Sequence, residues 1–474
     1  MLATANLYDS IDMQTSRREF LKLASVVPAG FLGLRHALAK VQSLEDAQTV
    51  LGALEPDPYG LLMLPRGFHY RVFSQVGEEM DDGLLVPGLH DGMAAFPGPN
   101  GRTILVRNHE MSAGSYPGGG AFGWTFERLG RLDPDRVYDP GHGRPPLGGT
   151  TTVVFNTDTQ QVEKQFLSLA GTVRNCAGGP TPWNTWISCE ETQQRANERF
   201  EKDHGYNFEV PVTTDIGLAD PIPLTAMGRF THEAVAVDPR TSIVYQTEDD
   251  DDGLIYRFLP REPERLHSGG KLQALSVIGR PSCDMRNWMD VAGLAIEPRK
   301  LRDVAWIDLE DIQSPANDLR HRGFEAGAAR FARAEGMWYG RRAVYWACTS
   351  GGRNRKGQVW RYVPSQFEGQ ANEKTAPGQL ELFLEPNDRR LVENCDNLTV
   401  APWGDLILTE DGPKEQFVVG VRPDGTIYQL GKNMANHSEI AGPTFSPDGT
   451  TLFLNIQHMG ISLAVTGPWP TATD

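Results

Sequence analysis

The sequence predicts an all-β protein, specifically a β-propeller, from three observations. Short β-rich runs alternate with turn signals through a 474-residue chain that holds 50 glycines and 33 prolines. Several stretches repeat one layout of strand, turn, strand, acidic or Gly-rich loop, strand. Carboxylates recur at the ends of the predicted strands. Units of roughly 40 to 60 residues with several short antiparallel strands match propeller blades. A large β-sandwich, whose loops also gather at its ends, is the rival architecture.

Residues 1–39 read as a processing segment rather than fold. "TSRREFLK" (15–22) sets Arg17 and Arg18 before Phe20 and Leu21, a twin-arginine signature. "LASVVPAGFLGL" follows, an apolar run of about a dozen residues where a bilayer span needs roughly 20. Ala37 and Ala39 then supply a cleavage site, and cleavage is expected after Ala39. Export by the twin-arginine machinery carries folded proteins, so a bound metal or prosthetic group is expected, with a soluble periplasmic or secreted product. No later stretch reads as a membrane anchor.

The remaining chain, 40–474, is expected to be a single propeller domain. "SLEDAQTVLGAL" (43–54) and "FEAGAARFARAEG" (324–336) are the expected helices. Between them, "GTTTVVFNTDTQQVEKQF" (149–166) is a hairpin. "AVAVDPRTSIVYQTEDDDDGLIYRFLP" (234–260), "AVYWACTSGGRNRKGQVWRYVP" (343–364) and "LTVAPWGDLILTEDGPKEQFVVGVRPDGTIYQL" (398–430) repeat the common layout. "GPTFSPDGTTLFLNIQH" (442–458) opens another unit. The Gly-, Pro- and Asp-rich segment 111–147 and the segment 306–342 read as insertions.

The formal charge is -16. Residues 1–39 hold four Lys/Arg and three Asp/Glu, so removing them leaves about -17. Such a surface disfavours nucleic acid and anionic membranes as partners. Five cysteines (Cys176, Cys189, Cys283, Cys348, Cys395) are an odd number for an oxidising compartment, so at least one is free, liganded or paired between chains. The chain has no CxxC, HExxH, GxSxG or P-loop. "TEDDDDG" lacks the spaced ligands of an EF-hand.

The candidate chemistry lies at strand ends. "ILVRNHEMS" gives Asn108, His109 and Glu110; "WISCEET" gives Glu190 and Glu191; "GRFTHEAVAVD" gives His232 and Glu233. "VYQTEDDDDG" adds Glu248 and Asp249, "ENCDNLTV" Asp396 and Asn397, "LILTEDG" Glu410 and Asp411, and "NHSEIAGPTF" Glu439. In a propeller the loops at one end converge on the axis, so these acids would meet there. Gathered without cations they would repel, and burying them unpaired is costly. Oxygen-only positions suit Ca²⁺, whereas a thiolate points to a transition metal. Cys176, in the turn "NCAGG", is either that thiolate or half of a Cys176–Cys189 bridge. Arg333 lies two residues before Glu335; in an extended segment their side chains share a side, and on a helix they diverge. A guanidinium beside metals suits phosphate oxygens.

Taken together, "NHE", "NCAGGPTPWNTWISCEET", "GRFTHEAVAVDP", "FARAEG", "VYWACTSGG", "GQVWRY", "ENCDNLTVAPWGDLILTEDG" and "FSPDGTTLFLNIQ" resemble, in order, the PhoX family of secreted alkaline phosphatases over about 105 to 460. The resemblance implies a six-bladed propeller with short helical and loop insertions around a cluster of Fe³⁺ and Ca²⁺. It implies hydrolysis of small-molecule phosphate monoesters at alkaline pH. Carried over, Cys176 becomes an iron ligand. Glu110, Glu190, Glu191, Glu233, Glu335, Asp396 and Glu439 become candidate metal carboxylates, and Arg333 binds the substrate phosphate. The competing functions are another calcium-dependent propeller hydrolase, a lactonase or phosphodiesterase, and a metal-binding propeller without catalysis.

Overall fold

Strands dominate the residues that the computed structural model describes, which are 50–112, 120–291 and 295–471. Many are buried along nearly their whole length: Gly148–Asn156 at every residue but the last, and Leu406–Glu410 and Thr451–Ile456 throughout. Their cores, "TTTVVF", "LILT" and "TLFL", carry β-branched and large aliphatic residues without strict polar alternation, as strands covered on both faces require.

The strands form five antiparallel sheets. One meanders through His90–Pro97, Thr103–His109, Gly148–Asn156 and Gln161–Thr172. A second joins Asn175–Pro180, Thr185–Glu190 and Asn207–Pro211. The largest combines two meanders, one starting at His232–Val237 and one at Ala334–Gly340, linked edge to edge through Arg302–Asp308. A fourth begins at Cys395–Val400 and takes Leu62–Pro65 and Leu54–Glu55 onto its outer edge. The last runs Ile440–Phe445, Thr451–Ile456, Ile461–Thr466 and then His69–Gln75, so an early strand completes the latest sheet.

The first strand of every meander lies innermost. His90–Pro97, Asn175–Pro180, His232–Val237, Ala334–Gly340, Cys395–Val400 and Ile440–Phe445 neighbour one another in that order, and the last returns to the first. The arrangement is propeller-like and excludes the two-layer sandwich. Apolar clusters fill the wedges between meanders. In one of them Phe331 packs edge-on against Trp346 and Trp360, at 5.7 and 5.4 Å.

Two expectations are corrected. The helix read over 324–336 lies instead at Leu319–Glu325. Gly327, at φ +113°, follows its end, and Ala329 and Phe331 then donate backbone N–H groups to Leu275 and Gly253 in extended chain. The alanines that mimic helix sequence are small because they pass through a crowded core. The segment 306–342 likewise ends in the innermost strand Ala334–Gly340, which is framework rather than insertion. The segment 111–147 lies between paired strands and, where described, consists of short 3₁₀ turns. Of the helix expected over 43–54, residues 43–49 lie outside the described residues, and Leu54–Glu55 is a strand. The twin-arginine signature and the cleavage site also lie outside them. Every described residue falls in the unit Leu44–Asp474.

Candidate metal centre

Each innermost strand carries the same irregularity near its start. The pairing register shifts between His90 and Met93, Asn175 and Gly178, His232 and Val235, Ala334 and Met337, Cys395 and Leu398, and Ala441 and Thr444. A bulge leaves residues unpaired and re-aims their side chains. In five of these strands a potential ligand follows the residue that opens the shift: Asp91, Cys176, Glu233, Glu335 and Asp396. Small residues come next, Gly92, Ala177, Ala234 and Gly336. A Cβ at Gly92 would lie 2.6 Å from the Ala177 Cα, and one at Gly336 2.7 Å from the Asn397 Cα. The missing side chains let the strands close in until their acids touch.

A second row comes from the residues just after the adjoining strands: Glu110, Glu191, Asp249, Thr349, Asp411 and Gln457. Their N–H groups donate to the carbonyls of the residues just before the innermost strands, Leu89, Arg174, Thr231, Arg333, Asn394 and Glu439, at 2.9 to 3.3 Å. This hydrogen bond repeats around the whole ring and fixes which residues are equivalent.

The two rows produce three ligand sets whose donor atoms lie within 4.8 Å of one another: Asp91, Glu110 and Cys176; Cys176, Glu191 and Glu233; Glu233, Glu335 and Asp396. Neighbouring sets share Cys176 or Glu233, so they form one continuous chain. Glu439 joins at the side, close enough to Asp396 and Asp91 for their charges to raise its pKa. Burial first, and then the neighbouring carboxylates, hold Asp91, Glu191, Glu233, Glu335 and Glu439 well above the usual carboxylate range. Asp396 is pushed up to about 7, by burial first. Burial and the charges of Asp91 and Glu233 raise the Cys176 thiol as well.

The donors fit bound cations. Both oxygens of Glu233 are buried and meet no donor but the neighbouring Cys176 thiol, a costly state for a carboxylate unless a cation meets it. Bound cations would reverse the pKa logic and favour the deprotonated ligands. Polar neighbours fix the frame. Gln457 Nε2 donates to Asp91 Oδ2 and Glu110 Oε2, both at 2.8 Å. Asn108 donates to the carbonyls of Cys176 and Ala177, and its Oδ1 accepts from Trp186 and Ser188, which holds the Cys176 bulge open.

Two arginines border the acids. Arg333 sits at φ +46° and bonds Asp249 at 3.0 Å and Glu335 at 2.7 Å; the two side chains meet as expected, but across a left-handed residue and a bulge rather than along an extended segment. Arg174 bonds Glu110 at 2.6 Å and also Glu191. Below the acids the axis is lined by Met93, Met337, Leu398 and Trp186.

The candidates read from sequence divide sharply. Glu110, Cys176, Glu191, Glu233, Glu335, Asp396 and Glu439 come together. Glu190 does not and is corrected. Its oxygens accept from the N–H groups of Val173, Gly205 and Tyr206, and one lies 2.6 Å from His204 Nδ1. Adjacent strand residues face opposite ways, so Glu191 takes the axis and Glu190 the interior. Glu248 and Glu410 hold the matching position in their own meanders and are likewise bonded inward, to Leu254 and Tyr256 and to Glu393 and Phe417. His109 bonds Gly88 and Thr151, and His232 stacks on Phe230. Asp250 and Asp252 pair with Arg320. All five cysteines are free, so the Cys176–Cys189 bridge does not form; Cys189 lies in an apolar cluster with Ile187 and Phe230. Asp91, Arg174 and Gln457 were missed. "HDG" nevertheless carries the same ligand-then-small signal as "HEA" and "AEG", and "RNC" places arginine before its ligand as "RAE" does.

Residues 49–460 match the model of a family described as Alkaline phosphatase PhoX. Among solved structures the chain is similar to Pseudomonas fluorescens PhoX in complex with vanadate, a transition state analogue. That match has 18% identity and a TM-score of 0.62, and covers 86% of this chain and 96% of that one. A Xanthomonas campestris gluconolactonase matches at 9% identity, 83% and 95% coverage and a TM-score of 0.37. Virginiamycin B lyase from Staphylococcus aureus matches at 10%, 84% and 99%, with a TM-score of 0.34. No curated protein matches the chain.

Proposed function

The chain belongs to the PhoX family of alkaline phosphatases, metal-dependent phosphoric monoester hydrolases, and on that premise we propose that its axial acids hold Fe³⁺ and Ca²⁺ for the hydrolysis of small-molecule phosphate monoesters. The observation that carries this reading is the continuous chain of ligand sets with buried Glu233 at its middle, met by no protein donor except the Cys176 thiol. The two sets that share Cys176 suit iron, because a thiolate favours a transition metal. The oxygen-only set of Glu233, Glu335 and Asp396 suits calcium. On the same reading the chain is a six-bladed propeller forming a single domain over 40–474, which the closed cycle of six innermost strands supports.

Bound metals supply Lewis-acid polarisation of the phosphoryl group and a water of lowered pKa. The protein supplies the rest. Asp249 and Glu335 orient the Arg333 guanidinium, which meets the phosphoryl oxygens and stabilises the charge that builds on them. Gln457 holds Asp91 and Glu110 in place.

The reading extends to location. Residues 1–39 act as a twin-arginine signal, giving a periplasmic or secreted enzyme exported folded, with neither nucleic acid nor a stable membrane anchor among its partners. No helix of the described residues is long and apolar enough to cross a membrane. The test is natively exported protein assayed on p-nitrophenyl phosphate at alkaline pH, alongside elemental analysis and a visible spectrum. Activity that is lost on chelation, with iron and calcium both present, is the expected result. A colourless protein without iron overturns the Cys176 assignment.

A further inference from the structure

Arg174 and Arg333 occupy the same place in two different meanders. Each is the residue before an innermost strand, and each accepts on its carbonyl the repeating hydrogen bond, from Glu191 and Thr349 respectively. Each has a left-handed backbone, φ +50° at Arg174 and +46° at Arg333. Each precedes a candidate ligand by two residues, Cys176 and Glu335. Each also reaches a second-row carboxylate of the preceding meander, Glu110 for Arg174 and Asp249 for Arg333. The other residues in this position are Leu89, Thr231, Asn394 and Glu439, so the shared backbone does not require arginine.

Both side chains remain accessible, 42% exposed at Arg174 and 37% at Arg333. They differ in how fully their donors are used. Arg333 spends its Nε on Asp249. Arg174 engages its carboxylates through Nη2 alone, and its Nε is buried without a partner. Nε is enclosed by protein, so the donor left for an anion is Nη1, which takes neither carboxylate on a side chain that stays 42% exposed. The flanking acids place the two guanidinium groups at different ends of the chain of ligand sets. Arg174 touches Glu110 and Glu191 of the sets that share Cys176, and Arg333 touches Glu335 of the third.

We propose that Arg174 is a second phosphate-contacting residue, the structural counterpart of Arg333, which binds oxygens of the phosphoryl group from the Cys176 end of the centre. The proposal rests on the phosphatase reading. Substrate monoester and product phosphate share these oxygens, so both feel the contact.

The experiment compares wild type, Arg174→Ala, Arg174→Lys and Arg333→Ala as natively exported holoprotein. Four quantities are measured: metal content, KM and kcat on p-nitrophenyl phosphate, inhibition by inorganic phosphate, and direct calorimetric binding of inorganic phosphate. Losing one charge-assisted contact predicts that Arg174→Ala weakens phosphate binding and raises KM by roughly 10- to 100-fold at unchanged metal content. Arg174→Lys recovers part of the loss. Phosphate affinity and KM equal to wild type in Arg174→Ala with full metal overturn the proposal. So does a variant that loses metal while Arg174→Lys restores both metal and affinity completely, since any cation would then suffice as a neutraliser. Wild type that binds phosphate without turnover overturns the phosphatase reading instead, and the binding comparison still decides the role of Arg174.

Discussion

Two populations of carboxylates stand one residue apart at the strand ends, and they have opposite fates. Glu190, Glu248 and Glu410 end the second strands of their meanders and are met by backbone N–H groups or by hydroxyl and imidazole partners. Glu191, Asp249 and Asp411 follow them and turn to the axis, where they join the bulge residues Asp91, Glu233, Glu335 and Asp396. There acid faces acid, and the one protein donor beside Glu233 is the Cys176 thiol. The first group is buried, and the second ranges from buried Asp91, Glu233, Glu335 and Asp396 through half-buried Glu191 and Asp249 to exposed Asp411. What separates them is how far the fold itself satisfies the charge: Glu190 and Glu410 have both oxygens met and Glu248 one, whereas the axial acids largely face one another.

The largest expected effects come from the axis. Cys176→Ser is expected to lose iron while the oxygen-only set keeps part of its calcium. Glu233→Gln is expected to lose metal from both sets that share it. In each case kcat/KM on p-nitrophenyl phosphate falls by about a thousandfold or more, the equivalent of roughly 4 kcal/mol of transition-state stabilisation. Full metal content in Cys176→Ser breaks the comparison at its centre.

Arg333→Ala comes next. It removes a contact to substrate and none to metal, so KM rises by roughly 10- to 100-fold with iron and calcium retained, read by steady-state kinetics and elemental analysis.

Chelation sharpens the contrast through pH. Without cations, Asp396 holds its proton up to about 7, above the ordinary carboxylate value near ~4. The folded state then binds more protons than the unfolded one. Its stability is greatest below pH ~4 on this account and declines as pH rises through about 7. Metal-loaded protein, whose ligands are already deprotonated, should not show that decline. Thermal melts of chelated and loaded protein between these limits check it.

The smallest effects lie in the satisfied group. Glu410→Gln and Glu190→Gln each leave a backbone N–H without its acceptor, at a cost of about 1–3 kcal/mol in denaturant unfolding, while metal content and KM stay at wild type. Loss of metal in either variant would blur the line between the two populations.

How much of this was readable from the chain follows from the same geometry. Strand ends such as "THEAV" and "NCDNL" announce an acid beside a buried run, so Glu233 and Asp396 were legible. Which of two adjacent acids reaches the axis was not. The choice between Glu190 and Glu191 depends on where one strand stops pairing, and no residue type marks that point. Bulges have no fixed residue signature either, which hid Asp91, although its following glycine was visible. Alanines around Arg330 imitated a helix because tight packing and helix propensity favour the same small residue. Cys176 was ambiguous on spacing alone, and the structure removes one alternative, the bridge, because Cys189 points into an apolar cluster.

One strand pairing also sets the order of events in the cell. His69–Gln75, near the beginning of the described chain, zips onto Ile461–Thr466 near its end, and Gln457 from that same final sheet braces Asp91 and Glu110. A ribosome-bound polypeptide halted before this clasp therefore owns most of the ligands yet has no finished cage to receive an ion. If the acids hold metal as proposed, loading waits for this pairing, and trimming the last few dozen residues should yield a protein that retains no metal after incubation with it.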